Sequence, residues 1–178
     1  MNFEKQPTVT LLSTGIRYGA LLGVLLIAYF LVLVTVGADT TQGFGRWSGL
    51  LLNAGILVLA QLYFREQGDG YMSYGQGLGI GFFTGLFSGV LYSAFFVVFI
   101  SYIDLDFMKL LQDAQRQAME ESGASEEQID EGMKMAARFT TPGFLFLFSV
   151  IGNVILEMGV ALVVSVFTQR PDNRMPSE

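Results

Sequence analysis

Four long apolar stretches with almost no charged residue constrain this chain more than any other feature. They span about residues 16–36, 47–64, 78–102 and 144–168. Each has roughly the 20 residues with which an α-helix crosses a hydrocarbon core of about 30 Å. Charged residues make up 15% of the chain, whereas an ordinary soluble domain has about 25%. The sequence predicts an all-α fold, a polytopic four-helix transmembrane bundle, with residues 1–178 as a single integral membrane domain.

The first stretch has a second interpretation as a secretory signal peptide. Lys5 and Arg17 resemble a basic leader, and residues 36–38 resemble a small-residue cleavage site. The apolar run is longer than the roughly 7–15 residues of a typical signal-peptide core. We therefore favour a membrane span.

Glycine at every fourth position is the most regular pattern within the stretches. The third stretch contains Gly77, Gly81, Gly85 and Gly89, here called the glycine row, and the first contains Gly15, Gly19 and Gly23. Residues four apart share one helix face, and a glycine in a helix interior costs about 1 kcal/mol relative to alanine. In membranes, such glycine zippers let helix backbones approach closely. We expect the glycine row to pack against the first stretch within one molecule; the alternative is packing between two copies.

Glu157 lies near the middle of the fourth stretch, where a charged side chain costs at least about 2.5–3.5 kcal/mol. It should face protein or water rather than lipid, together with the other polar candidates Asn53, Gln61, Tyr92 and Asn153. One interpretation is a protonated carboxyl that hydrogen-bonds Asn53, Gln61, Tyr92 or a backbone carbonyl. The other is a site for a proton, a cation or a polar ligand. We favour the structural interpretation because polar pairs commonly join membrane helices.

Residues 104–140 are polar and predict an amphipathic αα-hairpin outside the membrane. Its first helix has apolar residues at helical spacing, at Phe107, Leu110, Leu111, Ala114 and Ala118, and its second has Ile129, Met133 and Ala136. These faces should pack together, while nine acidic residues face solvent. Docking of a basic partner or of divalent cations on the acidic side is the less favoured alternative.

Helix-capping residues define the ends of this hairpin. Asp104 or Asp106 should cap the first helix, and Gly123 should end it. Ser125 opens a capping box, and Thr141 should cap the fourth span, which begins at Pro142.

Several classes of function are disfavoured by residues that the chain lacks. It contains no cysteine and no histidine, which removes thiol chemistry, histidine metal sites and serine–histidine catalysis. The net charge of −6 argues against nucleic-acid binding. We expect no catalytic residue, no metal and no cofactor, and we predict that the protein is not an enzyme.

Lysine and arginine near the span ends indicate the orientation. Five lie on the side of the two termini and five on the other side, but the first group is concentrated close to the spans. We expect both termini in the cytoplasm and the hairpin outside it.

Several short segments carry a resemblance to a known family. They are Tyr18-Gly19, Ser73–Gly77, Tyr102–Phe107, Glu121–Ile129 and Met133. In their order and spacing, the chain resembles the uncharacterised four-span bacterial membrane proteins of the domain of unknown function 4199, with Leu105 at a position where that family often has proline. The resemblance covers nearly the whole chain. It implies a multi-pass protein of the bacterial inner membrane and no known substrate.

These observations predict a non-enzymatic assembly or accessory component of the bacterial envelope. Its partners would be the lipid bilayer and a membrane protein or a second copy. The alternative is a small proton-coupled carrier or channel subunit that uses Glu157 with Asn153 and Asn53.

Overall fold

The computed structural model describes residues 9–37, 43–104, 106–139 and 141–171. Within these residues the fold is all-helical, as predicted. The helices are α1 (Leu11–Thr35), α2 (Gly43–Gln67), α3 (Tyr74–Val98), α4 (Phe107–Glu121), α5 (Glu126–Phe139) and α6 (Pro142–Thr168). A π-helical turn, Phe99–Ile103, directly follows α3. Leu105 lies outside the described residues.

Four helices are long and apolar enough to cross a membrane. They are Leu11–Thr35, Ser48–Gln67, Tyr74–Ile103 and Pro142–Thr168, so the prediction of four long apolar helices is confirmed. The first and the third begin before the predicted residue because polar side chains cap them. The Thr10 hydroxyl accepts from the Ser13 amide (3.1 Å), and the Ser73 hydroxyl accepts from the Gln76 amide (3.2 Å).

The chain divides into two compact units, one comprising Met1–Tyr92 with Val150–Glu178 and the other Ser93–Ser149. The first unit has a core of apolar side chains from α2, α3, α6 and the connection before α3. Its buried members are Leu57, Ala60, Met72, Ile80, Ala161 and Val164. Large apolar side chains such as Leu51 and Ile155 are exposed, which suits helices surrounded by lipid rather than water.

A short backbone clasp joins the ends of two helices in this unit. The Met72 amide donates to the Arg170 carbonyl (2.9 Å), and the Arg170 amide donates to the Met72 carbonyl (2.8 Å). The clasp holds the start of α3 beside the end of α6, which fixes how the two helices align.

The second unit contains the hairpin of α4 and α5. Gly123 has a φ of +81°, and the Gly123 and Ala124 amides donate to the Glu120 and Met119 carbonyls, which is a Schellman motif. Ile129 is buried, as the spacing predicts. Ala114 and Ala118 are exposed, which differs from the prediction. Met119 makes the contact instead, against Gly132. The structure does not describe the side chains of three further predicted residues, Phe107, Leu110 and Leu111.

Of the predicted capping residues of the hairpin, Ser125 makes capping hydrogen bonds and Asp106 does not. The Gln128 amide donates to the Ser125 hydroxyl (3.3 Å) and the Ser125 amide to Gln128 Oε1 (2.9 Å), which completes a capping box. Asp106 precedes α4 but makes no capping hydrogen bond, because its backbone is already helical (φ −82°, ψ −19°) and its side chain cannot fold back. It instead pairs with Lys109 at 3.1 Å.

The remaining two candidates lie at chain turns. Asp104 ends the π-helical turn, where its amide donates to the Phe99 carbonyl (2.9 Å). Thr141 directly precedes α6, and its carbonyl accepts from the Leu145 amide (2.9 Å).

Replacing Ser125 with alanine should loosen α5. Loss of an N-cap serine costs about 1 kcal/mol, which corresponds to roughly fivefold faster opening of the first turn. Amide hydrogen exchange of the purified protein in detergent measures this directly. The matched control is alanine at Gln112, an exposed position in α4, and equal exchange rates in both variants would contradict the capping role.

Candidate functional site

The glycine row of α3 packs against α6. A Cβ atom built at Gly81 would lie 2.4 Å from Ala161 Cβ. One built at Gly85 would lie 2.8 Å from Glu157 Cβ and 3.1 Å from Val154 Cα. Since real Cβ atoms do not approach this closely, only glycine fits at these positions, and the two helices touch along several turns.

The partner of the glycine row differs from the prediction, although the packing is intramolecular as expected. Gly15, Gly19 and Gly23 of α1 lie against a neighbouring face of α3. Cβ atoms built there would lie 2.2 Å from Phe83 Cβ, 2.7 Å from Phe87 Cβ and 2.9 Å from Leu91 Cδ2, respectively. Each glycine face thus meets a face with side chains, so that projecting groups fill the grooves.

Gln61 of α2 hydrogen-bonds to residues of both α3 and α6. Its Nε2 donates to the Gly77 carbonyl (3.1 Å) and to Ser165 Oγ (2.9 Å). Its Oε1 accepts from the Thr168 hydroxyl. Both ends of the amide are therefore used, and Gln61 does not serve as the predicted partner of Glu157.

These contacts show how α2, α3 and α6 are aligned: residues at every fourth position of the three helices lie at the same level. The first rung is Gln61, Gly77 and Ser165. One step further, Leu57 and Ala161 share the apolar core, and Gly81 lies against Ala161. In the next step Gly85 on α3 lies against Glu157 on α6, and the spacing from Gln61 assigns Asn53 on α2 to the same level. These three residues are here called the third rung.

Glu157 is fully buried in the third rung. Neither Oε1 nor Oε2 has a hydrogen-bond partner among the described residues. Arg17, the basic residue of α1, donates instead to the Tyr63 hydroxyl (2.8 Å). Tyr92 places its ring edge-to-face against Phe30, with 6.2 Å between the centroids. The structural interpretation, which requires a hydrogen-bonded carboxyl, thus lacks the bond that it predicts.

Other buried oxygen atoms near the third rung are also without a partner. Asn53 Nδ2 donates to the Gly49 carbonyl (2.7 Å), while its Oδ1 accepts no hydrogen bond from the described residues. The same holds for Thr84 Oγ1 and Asn153 Oδ1. Asn153 lies one turn from Glu157, with its Cβ 3.1 Å from a Cβ built at Gly89.

Thr84 and Thr168 were not predicted from the sequence as residues of the site. A threonine in an apolar helix is ordinary, because its hydroxyl can bond to its own backbone, and only the register reveals which threonines face the interior. The face of α2 that meets this interior is recognisable in the sequence. Gly49, Asn53, Leu57 and Gln61 are spaced four residues apart, like the glycine row.

Chemically, this arrangement offers oxygen atoms in a buried interior. It contains one carboxyl, and the described residues contain no group of three or more His, Cys, Asp or Glu side chains that could hold a metal ion. The site suits a proton or a single positive charge better than an acid–base pair.

Comparison with known proteins places the chain in a family. The family model described as "Protein of unknown function (DUF4199)" matches residues 17–170. No curated protein and no solved structure matches the chain. The matched segment runs from Arg17, within α1, to Arg170, which closes the backbone clasp. The family model therefore covers most of α1, the other three apolar helices and the hairpin. The chain therefore belongs to the DUF4199 family of proteins of unknown function.

Proposed function

We propose that this membrane protein binds and releases a proton or cation at Glu157, as a small carrier or channel subunit. One observation carries the proposal: Glu157 is fully buried, and both of its carboxyl oxygens are without a hydrogen-bond partner in the described residues. Ionisable residues inside membranes are costly and commonly mark ion pathways.

The surroundings of Glu157 support this role over a purely structural one. A structural carboxyl stabilises helix packing through hydrogen bonds, and Gln61 already provides such bonds two steps of four away along the bundle. Glu157 makes none of them. A bound proton or cation removes its charge without needing a protein partner.

Flux measurements test the proposal. Purified protein in liposomes that contain a pH-sensitive or sodium-sensitive dye should show ion movement, and Glu157→Gln should reduce it to the level of protein-free liposomes. The matched control is Glu66→Gln, which removes an exposed carboxyl at the end of α2. Equal flux in wild type and Glu157→Gln would overturn the proposal.

A second candidate function is that of a non-enzymatic assembly component of the bacterial envelope. Two surface features favour it. An apolar groove of about 380 Å³ lies between α2 and α6, with Leu50 on one side and Gly159 and Val163 on the other, and the exposed face of α5 is acidic. A second copy or another membrane helix would fit the groove.

Affinity capture from native membranes in mild detergent tests the assembly role. Gly159→Leu should fill the groove and reduce the yield of a specific co-purifying protein. Gly152→Leu is the control, since it adds the same side chain to α6 at another open position. Capture that is the same for both variants would argue against the groove as an interface.

The proposed location is the inner membrane with both termini in the cytoplasm. Because the chain has no native cysteine, a single cysteine introduced at Ser125 can be labelled without background. We expect labelling by an impermeant reagent from outside the cytoplasmic membrane; labelling only from the cytoplasm would reverse the orientation.

A further inference from the structure

Four side chains of the first unit present unpartnered buried oxygen atoms near one level of the bundle. The atoms are Oε1 and Oε2 of Glu157, Oδ1 of Asn53, Oγ1 of Thr84 and Oδ1 of Asn153. A buried polar atom without a partner costs about 1–3 kcal/mol. A group of five such atoms is therefore costly unless a ligand occupies it.

The register places the residues that carry these atoms within about one helical turn of the third rung. Glu157 Cβ lies 2.8 Å from a Cβ built at Gly85. Thr84 precedes that glycine at the same height on α3, and its side chain is fully buried. Asn53 reaches the same rung from α2, since it lies two steps of four from Gln61, whose contacts fix the register. Asn153 lies one turn along α6.

Two other unpartnered hydroxyls, those of Thr14 and Ser93, fall outside this group. Ser93 belongs to the second unit. Gly19 is the residue of α1 that approaches the Thr84 carbonyl, at 2.9 Å from a built Cβ. Thr14 lies five positions before Gly19, which is more than one helical turn.

The charge balance of the site favours a monovalent cation. No Lys, Arg, Asp or Glu occurs at residues 18–35, 48–64 or 74–103, and Glu157 is the only charged residue of α6. One carboxylate therefore neutralises one positive charge, whereas a divalent ion would leave an excess charge in the hydrocarbon region.

The types of oxygen atom favour a small hard ion over a proton. Carboxylate, amide and hydroxyl oxygens are ligands for hard cations. A proton on Glu157 gives one O–H donor, which can satisfy at most one of the two asparagine oxygens. A sodium ion can contact several of the five atoms at once.

We propose that Glu157, Asn53, Thr84 and Asn153 form a binding site for one sodium ion between α2, α3 and α6. The inference rests on the proposed function and names the ion that Glu157 binds. Glu157 supplies the negative charge, and the other three side chains supply neutral oxygen ligands.

Equilibrium binding of radioactive sodium to the purified full-length protein in detergent tests the site. We expect saturable binding in wild type and none above background in Glu157→Gln. Asn53→Ala and Thr84→Val should each weaken binding by about tenfold or more, because even residues outside the first ligand shell cost about 10–100-fold in metal sites. Glu66→Gln should bind like wild type.

Size-exclusion chromatography and circular dichroism identify variants that remain folded, and Thr84→Val preserves the shape of its side chain. Sodium binding that is absent in folded wild type, unchanged in Glu157→Gln, or equally well displaced by potassium would overturn the inference. Sodium binding without ion flux would leave the site standing and remove the carrier role. Proton flux that depends on Glu157, in a protein that does not bind sodium, would support the carrier role and overturn the sodium site.

Discussion

Replacing Gly85 with leucine should separate α3 from α6 and abolish the folded monomer. A Cβ atom at this position already meets Val154 Cα at 3.1 Å and Glu157 Cβ at 2.8 Å. Because one of these atoms belongs to the backbone, rotation of a side chain cannot relieve the clash. Overpacking typically costs about 1–3 kcal/mol, and leucine adds three further carbons to the same contact. The loss should appear as aggregation on size-exclusion chromatography in mild detergent.

Gly152→Leu provides the matched control for this experiment. It introduces the same side chain into a membrane helix, but nothing lies within 4 Å of a Cβ built at Gly152. We expect a monodisperse protein with unchanged helicity. If Gly85→Leu were equally monodisperse, the close packing of α3 on α6 would be contradicted.

Substituting methionine for two fully buried polar residues should have opposite effects on stability. Gln61→Met removes hydrogen bonds to Gly77, Ser165 and Thr168, and it should lower the free energy of unfolding by about 1–3 kcal/mol. Glu157→Met removes two unpartnered oxygens and should raise it by a similar amount in sodium-free buffer. Stabilising changes at functional positions commonly abolish function.

Thermal unfolding in detergent, with choline chloride as the salt, measures both variants side by side. The expected result is a lower midpoint for Gln61→Met and a higher midpoint for Glu157→Met than for wild type. A clear destabilisation by Glu157→Met would show that the carboxyl stabilises the fold, and the ion-binding interpretation would lose its basis.

Much of the architecture could be predicted because membrane helices are encoded by local features. A run of about 20 apolar residues specifies a span without reference to any other part of the chain. The capping box at Ser125 and the left-handed position at Gly123 are likewise determined within one turn. The glycine row showed that α3 has a face for close packing, since no other role justifies its cost.

The identity of the packing partner could not be read in the same way. The glycines of α1 and those of α3 are equally suited to close approach, and only tertiary structure shows that α1 covers Phe83 and Phe87 while α6 covers the row. The lack of a hydrogen-bond partner for the Glu157 carboxyl could not be predicted for the same reason. Its partners depend on the relative register of α2, α3 and α6, which Gln61 sets through Gly77 and Ser165.

The contact between α3 and α6 also has an evolutionary consequence. Wherever the two backbones touch, the summed size of the facing residues is limited, as at Gly81 with Ala161. A lineage that acquires a methyl group on one side must lose one on the other, so such positions should change in pairs across the family. Aligned relatives should therefore display reciprocal exchanges of glycine and alanine at this pair, and independent variation would mean that the helices meet differently elsewhere in the family.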